Sequence, residues 1–115
     1  MNSYRRGLWA EYYAVAFLLC KGYWPRALRY KTKVGEVDLI VTRGNARVFV
    51  EVKYRKNAED AAYAITPKSR LRIRRAAEQY LLEKTNESPR LDAVTRFDVV
   101  IVSNNFLIKH IKNAF

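Results

Sequence analysis

The stretches GEVDLIV at 35–41 and VFVEVKYR at 48–55 decide how this chain folds. Both are rich in β-branched residues (Val37, Ile40, Val41, Val48, Val50, Val52), which suit buried strands better than helix. Arg43-Gly44-Asn45 between them has the composition of a turn. The sequence therefore predicts strands over Glu36–Thr42 and Arg47–Tyr54. Successive side chains on a strand point to opposite faces. Glu36, Asp38 and Ile40 are thus expected on one face of the first strand, and Phe49, Glu51 and Lys53 on one face of the second. If the two strands pair, Asp38, Glu51 and Lys53 converge.

Outward from this pair, a helix is predicted from about Ser3 to Lys21, with Gly22 as its stop, then an extended segment over roughly Arg26–Lys33. Lys56–Tyr63 reads as a loop or a short helical piece. Thr66-Pro67 has the residues of a helix start, a capping hydroxyl and a proline at the first helical position, and that helix runs to about Lys84. Asn86–Asp92, polar and containing Pro89, reads as a loop. Arg96–Ser103 (RFDVVIVS) is predicted as a strand and Phe106–Ile111 as a last one, with a tight hairpin turn at Asn104-Asn105. The order α-β-β-β-α-β-β makes the fold class α/β, with a central mixed sheet of about five strands flanked by helices. At 115 residues, residues 1–115 are expected to form a single domain able to bury its own core.

The net charge of +11 attracts polyanions. Nucleic acid is the commonest such partner; an anionic membrane surface is the weaker alternative. The apolar run Leu8–Cys20 is too short to span a bilayer, and Glu11 within it is wrong for a signal-peptide core. The expected location is the cytoplasm, with no membrane partner. Cys20 has no second cysteine to pair with and reads as a reduced core residue. With no second cysteine and only one histidine, a thiolate metal site is not expected. His110 has no Ser or Cys nucleophile at a suggestive spacing and reads as a surface or strand-end residue. The nucleotide-binding patterns GxGxxG and GxxxxGK[ST] are absent. Tyr30 and Tyr54 lie beside basic residues and are assigned to core packing, with base stacking as the alternative.

Three ionisable groups inside apolar strands call for a compensating partner. Two carboxylates buried together are costly unless a cation offsets them. A hard divalent ion such as Mg²⁺ does so through oxygen ligands, and Lys53 beside it can orient a water or offset phosphate charge. The same charges also suit a solvated sheet face on which Lys53 bridges Asp38 or Glu51. Two further features bear on the choice. Glu11 is the only charge in the apolar middle of the first helix, on the side of Leu8, Val15 and Leu18; it is either part of the site or a structural acid paired with an Arg or a Tyr hydroxyl. On the second helix Lys68, Arg72, Arg75 and Gln79 fall opposite Ile73, Ala77, Tyr80 and Leu81. That is the pattern of a phosphate-tracking helix, and also of any solvated helix in a basic protein.

The ordered series Gly7-x-x-Ala10-Glu11, GEVDLIV, VFVEVKYR, Lys68, RFDVV at 96–100 and HIKNAF at 110–115 resembles the YraN family of small bacterial proteins without an assigned role. The resemblance spans nearly the whole chain. That family is similar to the restriction-endonuclease-like superfamily, whose sites follow the PD-(D/E)xK pattern, and to archaeal Holliday-junction resolvases. The resemblance implies catalytic roles for Glu11, Asp38, Glu51 and Lys53, with Asp38, Glu51 and the backbone carbonyl of Val52 as ligands of Mg²⁺ or Mn²⁺. Val37 stands where the superfamily pattern has proline. The reading that follows is a metal-dependent endonuclease acting on DNA, branched or structured DNA included, with Lys68, Arg72, Arg75 and Gln79 on the nucleic acid and a homodimer for a resolvase-like role. The competing readings are a non-catalytic nucleic-acid-binding module with the nuclease fold, and a basic protein-interaction subunit.

Overall fold

The computed structural model describes residues 3–56, 65–84 and 93–115. Its elements follow the order α1 (Ser3–Cys20), β1 (Trp24–Lys31), β2 (Glu36–Arg43), β3 (Ala46–Arg55), α2 (Pro67–Glu83), β4 (Val94–Ser103) and β5 (Ile108–Ile111). This is the α/β order expected from the sequence, and five strands make one mixed sheet in the order β1-β2-β3-β4-β5. All neighbours are antiparallel except β3 and β4, which run parallel across the connection that contains α2. The segments read as loops over 57–63 and 86–92 lie outside the described residues.

The two helices cover opposite faces. On one face Ala10, Ala14 and Leu18, a line at four-residue spacing along α1, pack on Leu39, Val41, Val48, Val50, Val100 and Val102. On the other, Ile73, Ala76, Ala77 and Tyr80 of α2 pack on Val37, Ile40 and Phe49. Ile65, Val99 and Ile101 extend this second layer toward the C-terminus. Each fully buried Val, Leu, Ile or Phe contributes roughly 1.5–3 kcal/mol, so the alternation of β3 and β4 between the two layers fixes their register.

Two glycines set how the helices meet the sheet. Gly22 has φ 88, and the Tyr23 and Gly22 N–H groups donate to Leu18 and Leu19 carbonyls at 2.9 and 3.0 Å. This left-handed cap ends α1 and turns Tyr23 into the core. Gly35 matters for space instead: a Cβ there would collide with the backbone carbonyl of Arg72 on α2. The glycine of the GEVD stretch thus lets α2 lie directly over the start of β2. At α2 itself the Thr66 side chain accepts from Ser69 N at 3.1 Å, the cap expected of Thr66-Pro67.

Several details depart from the sequence reading. β1 begins two residues before, and ends two before, the expected extended segment, and β4 begins at Val94 rather than Arg96. The last strand starts at Ile108, because the β4–β5 connection is longer than a two-residue turn and Phe106 within it has φ 66. Cys20 is exposed, not a core residue; at 100° per residue it points away from the face that Leu18 buries. His110 does stand near the end of a strand, β5, but it is no surface residue: its side chain is 3% exposed.

Candidate functional site

The site begins where the sheet's ladders stop. β2 and β3 pair from Arg43–Ala46 up to Leu39–Val50, and Asp38 lies one step beyond. On its other side β1 pairs Leu28 with Leu39 and Tyr30 with Val37, so Arg29 falls opposite Asp38. Arg29 has φ 52, a left-handed conformation rare for a side-chain-bearing strand residue. Strict alternation also breaks here, since Val37 and Ile40 both join the α2-side layer while Leu39 and Val41 lie under α1. Asp38 Oδ2 accepts instead from the backbone N–H of Val52 at 2.8 Å. The opening between the strands thus draws the Val52 backbone to the Asp38 carboxylate.

Burial raises the Asp38 carboxyl from its ordinary 3.8 to about 7. The negative charge of Glu51 adds to this, the Val52 N–H opposes it, and the charge of Glu11 adds a further rise. Glu51 from β3 and Glu11 from α1 thus both act on Asp38. Two cations balance part of that charge. Lys53 Nζ lies 3.2 Å from Glu51 Oε1, and Arg29 Nε donates to Glu11 Oε2 at 2.6 Å. All four of these side chains are partly buried, where ion pairs are screened less than at the surface.

An open cleft of about 330 Å³ adjoins the cluster, lined by Gly7, Leu8, Glu11, Arg29, Lys31, Glu36, Val37 and Asp38. Among the described residues, no three acidic, histidine or cysteine side chains close around a common point for a metal. The donors that fit a cation are the Asp38 and Glu51 carboxylates with the Val52 carbonyl. This set is hard, incomplete and all oxygen, suited to an ion that retains water. The rise at Asp38 comes first from burial and then from the charge of Glu51.

α2 reaches the same neighbourhood. Arg72 pairs with Glu36, a cleft residue, at 3.2 Å. Lys68, Arg75 and Gln79 are exposed on the same helix, and Gln79 donates to Glu83 at 3.3 Å. Sequence reasoning missed Arg29, Lys31 and Glu36. Glu36 stands inside the GEVD stretch, but Arg29 and Lys31 became visible only with the β1–β2 register.

A second polar cluster lies toward the C-terminal end of α1. Asp98, fully buried, accepts from Arg96 Nε and a terminal guanidinium nitrogen at 2.8 Å, from His110 at 2.7 Å and from Asn113 N at 2.9 Å. Burial works against its charge, but His110, Arg96 and the Asn113 N–H outweigh it and hold Asp98 at about 2. Lys21 donates to the other His110 ring nitrogen at 2.7 Å, so His110 donates to Asp98 from Nε2. Arg96 also bonds the Tyr23 hydroxyl at 2.6 Å. The stretches RFDVV and HIKNAF meet in this network, which ties β4, β5 and the end of α1 together.

The model of the uncharacterised protein family UPF0102 matches residues 10–102. The chain belongs to that family. Among curated UPF0102 proteins, one from Rhodopseudomonas palustris (strain BisB18) is 41% identical over 113 residues, covering 98% of this chain and 82% of the relative. Another, from Rhizobium etli (strain CIAT 652), is 40% identical over 114 residues, covering 99% and 91%. UPF0102 is the YraN family that the sequence resembles. The matched residues include Glu11, Asp38, Glu51, Lys53, Arg29 and Asp98.

Proposed function

We propose that this UPF0102 protein is a metal-dependent endonuclease that hydrolyses phosphodiester bonds in DNA, branched or otherwise structured DNA included. The observation that carries the reading is the pressing together of Asp38 and Glu51 at a break in the sheet, with Lys53 beside Glu51. Structural carboxylates are ordinarily given a cation or an N–H partner that lowers their pKa, as Asp98 is. Asp38 has the Val52 N–H, yet burial and the charge of Glu51 still disfavour its charge on a cleft that opens to solvent, as expected of a group that takes a cation.

Asp38, Glu51 and the Val52 carbonyl would hold Mg²⁺ or Mn²⁺. The ion supplies positive charge that offsets the phosphoryl oxygens and makes a water easier to deprotonate. Lys53, paired with Glu51, would orient that water or bond a phosphoryl oxygen. Glu11 adds a third acid at the edge, and the exposed basic face of α2 tracks the backbone through Lys68, Arg72, Arg75 and Gln79. A homodimer would offer two such sites to two strands.

The test is cleavage of linear, flapped and four-way-junction DNAs with Mg²⁺ or Mn²⁺, by wild type and by Lys53→Ala. Metal-dependent cleavage that Lys53→Ala loses supports the reading. A wild type that cleaves none of them, yet binds DNA in a salt-sensitive way, leaves a binding module.

A further inference from the structure

The β4–β5 turn presents an aromatic ring where a turn ordinarily has none. Phe106 takes φ 66, a conformation that glycine or asparagine adopts without strain and a bulky residue does not. The turn is closed by Ser103 N donating to Leu107 O at 2.8 Å and Phe106 N donating to Ser103 O at 3.2 Å. It is fastened from both sides: Tyr13 of α1 donates to the Phe106 carbonyl, and Tyr54 of β3 donates to Asn104 Oδ1, each at 2.9 Å. So much fixing does not serve to bury the ring. Phe106 remains 63% exposed and Leu107 beside it 60%.

The ring stands nearly perpendicular to Trp9 and Tyr13, with centroids 5.5 and 6.2 Å away. Trp9 and Tyr13 stack on each other at 5.3 Å, and Trp9 also meets Tyr54 edge-on at 6.4 Å. Exposed Arg5 lies one helical turn before Trp9, and Arg55 and Lys56 follow Tyr54.

We propose that Phe106, propped by Trp9 and Tyr13, is a stacking platform for an unpaired nucleobase, so that the protein favours nucleic acid with exposed bases. Arg5, Arg55 and Lys56 in the sequence flanking Trp9 and Tyr54, and the net charge of +11, fit a polyanion, and aromatic rings among cations are how single strands are held. A duplex keeps its base faces within its own stack, so only an unpaired or terminal base can use the ring. This inference rests on the reading of the partner as nucleic acid, and not on cleavage.

The test is binding of a short labelled oligothymidylate and of a relaxed, covalently closed circular duplex, which has no terminal base, with the full chain in EDTA. Phe106→Ala is expected to weaken oligothymidylate binding by about tenfold and to leave the duplex nearly unchanged. Phe106→Trp should keep the binding. Phe106→Gly should lose it as Phe106→Ala does while keeping a higher Tm than Phe106→Ala, because glycine accepts the left-handed backbone; this separates lost stacking from lost folding. The inference is overturned if the wild type does not bind oligothymidylate, if Phe106→Ala binds it as well as wild type, or if both DNAs weaken equally. A Phe106→Ala change in oligomeric state without one in DNA binding also overturns it, in favour of a protein contact. Cleavage by wild type with Phe106-independent binding would leave the nuclease reading standing and remove this one alone.

Discussion

Asp38 Oδ2 and the Val52 backbone nitrogen are 2.8 Å apart, one step past the last β2–β3 pair. The side chain there takes the place of a ladder acceptor, which holds a carboxylate in a position that burial and Glu51 disfavour. An asparagine would keep an oxygen for Val52 without the charge. Because the Asp38 pKa is raised in the fold, from 3.8 to about 7, the folded chain binds more protons than the unfolded one between those values. Stability from this group is therefore present below about pH 4 and is lost as pH rises through 7. Asp38→Asn should accordingly be more stable than wild type at pH 8, by about 1–3 kcal/mol, and lose that advantage near pH 4. Thermal unfolding across pH 4–8 measures it, and a lower Tm for the variant at pH 8 would contradict the assignment.

Metal binding should show the same proton from the other side. A cation at Asp38 and Glu51 competes with the proton on Asp38, so Mn²⁺ affinity measured by calorimetry should rise from pH 6 to pH 8, with proton release on binding. Asp38→Asn should weaken Mn²⁺ binding strongly, on the order of tenfold or more. Lys53→Ala should weaken it far less, or tighten it, since the ammonium is a cation 3.2 Å from Glu51. Both variants should lose cleavage, while Asp38→Asn keeps DNA binding. Equal Mn²⁺ affinity in wild type and Asp38→Asn would refute Asp38 as a ligand.

The meeting of Asp38 and Glu51 was legible in the sequence because a short turn forces neighbouring antiparallel strands. Arg43 paired with Ala46 places Asp38 beside Glu51 by counting. The two strands were legible from their β-branched residues, and α2 from its cap and its apolar face. What stayed hidden depends on segments distant in sequence. Arg29 enters the site only because β1 pairs with β2 in one register, and nothing in its neighbours signals φ 52. The burial of His110 needs α1, β4 and β5 to converge on Asp98. Cys20 sits in an apolar run, and apolar composition without helical phase does not say which of its residues face the core.

The basic face of α2 yields a salt-dependence prediction. Charge reversal at Arg72 and Arg75 removes two exposed cations of α2, of which Arg72 pairs with the cleft residue Glu36. DNA affinity should fall, and the slope of log affinity against log salt should flatten by about one for each phosphate that the helix no longer neutralises. Arg72 already pairs with Glu36 at 3.2 Å, so reversing Arg72 alone also places like charges together, whereas Arg75 tests the helix face without that effect. An unchanged slope in the double variant would remove α2 from the interface.

Arg29 joins backbone strain to site electrostatics, and two substitutions separate them. Arg29→Ala and Arg29→Gly both take the guanidinium from Glu11, whose 2.6 Å partner it is. Only glycine also accepts φ 52 without a steric penalty, so Arg29→Gly should be more stable than Arg29→Ala by about 1–2 kcal/mol. The electrostatic effect should be the same in both. With a cation removed beside Glu11 and Asp38, the cluster becomes more negative. Mn²⁺ should then bind several-fold more tightly at pH 8.5, where Asp38 is ionised even after the extra charge of Glu11 raises its pKa further. Near pH 6.5 the tighter hold on the proton should offset that gain. Calorimetry at the two pH values together with thermal unfolding checks both halves. Equal stability of the two variants would show that residue 29 relaxes out of the left-handed conformation, and weaker Mn²⁺ binding in both at pH 8.5 would mean that Arg29 supports the ligands rather than opposing the ion's charge.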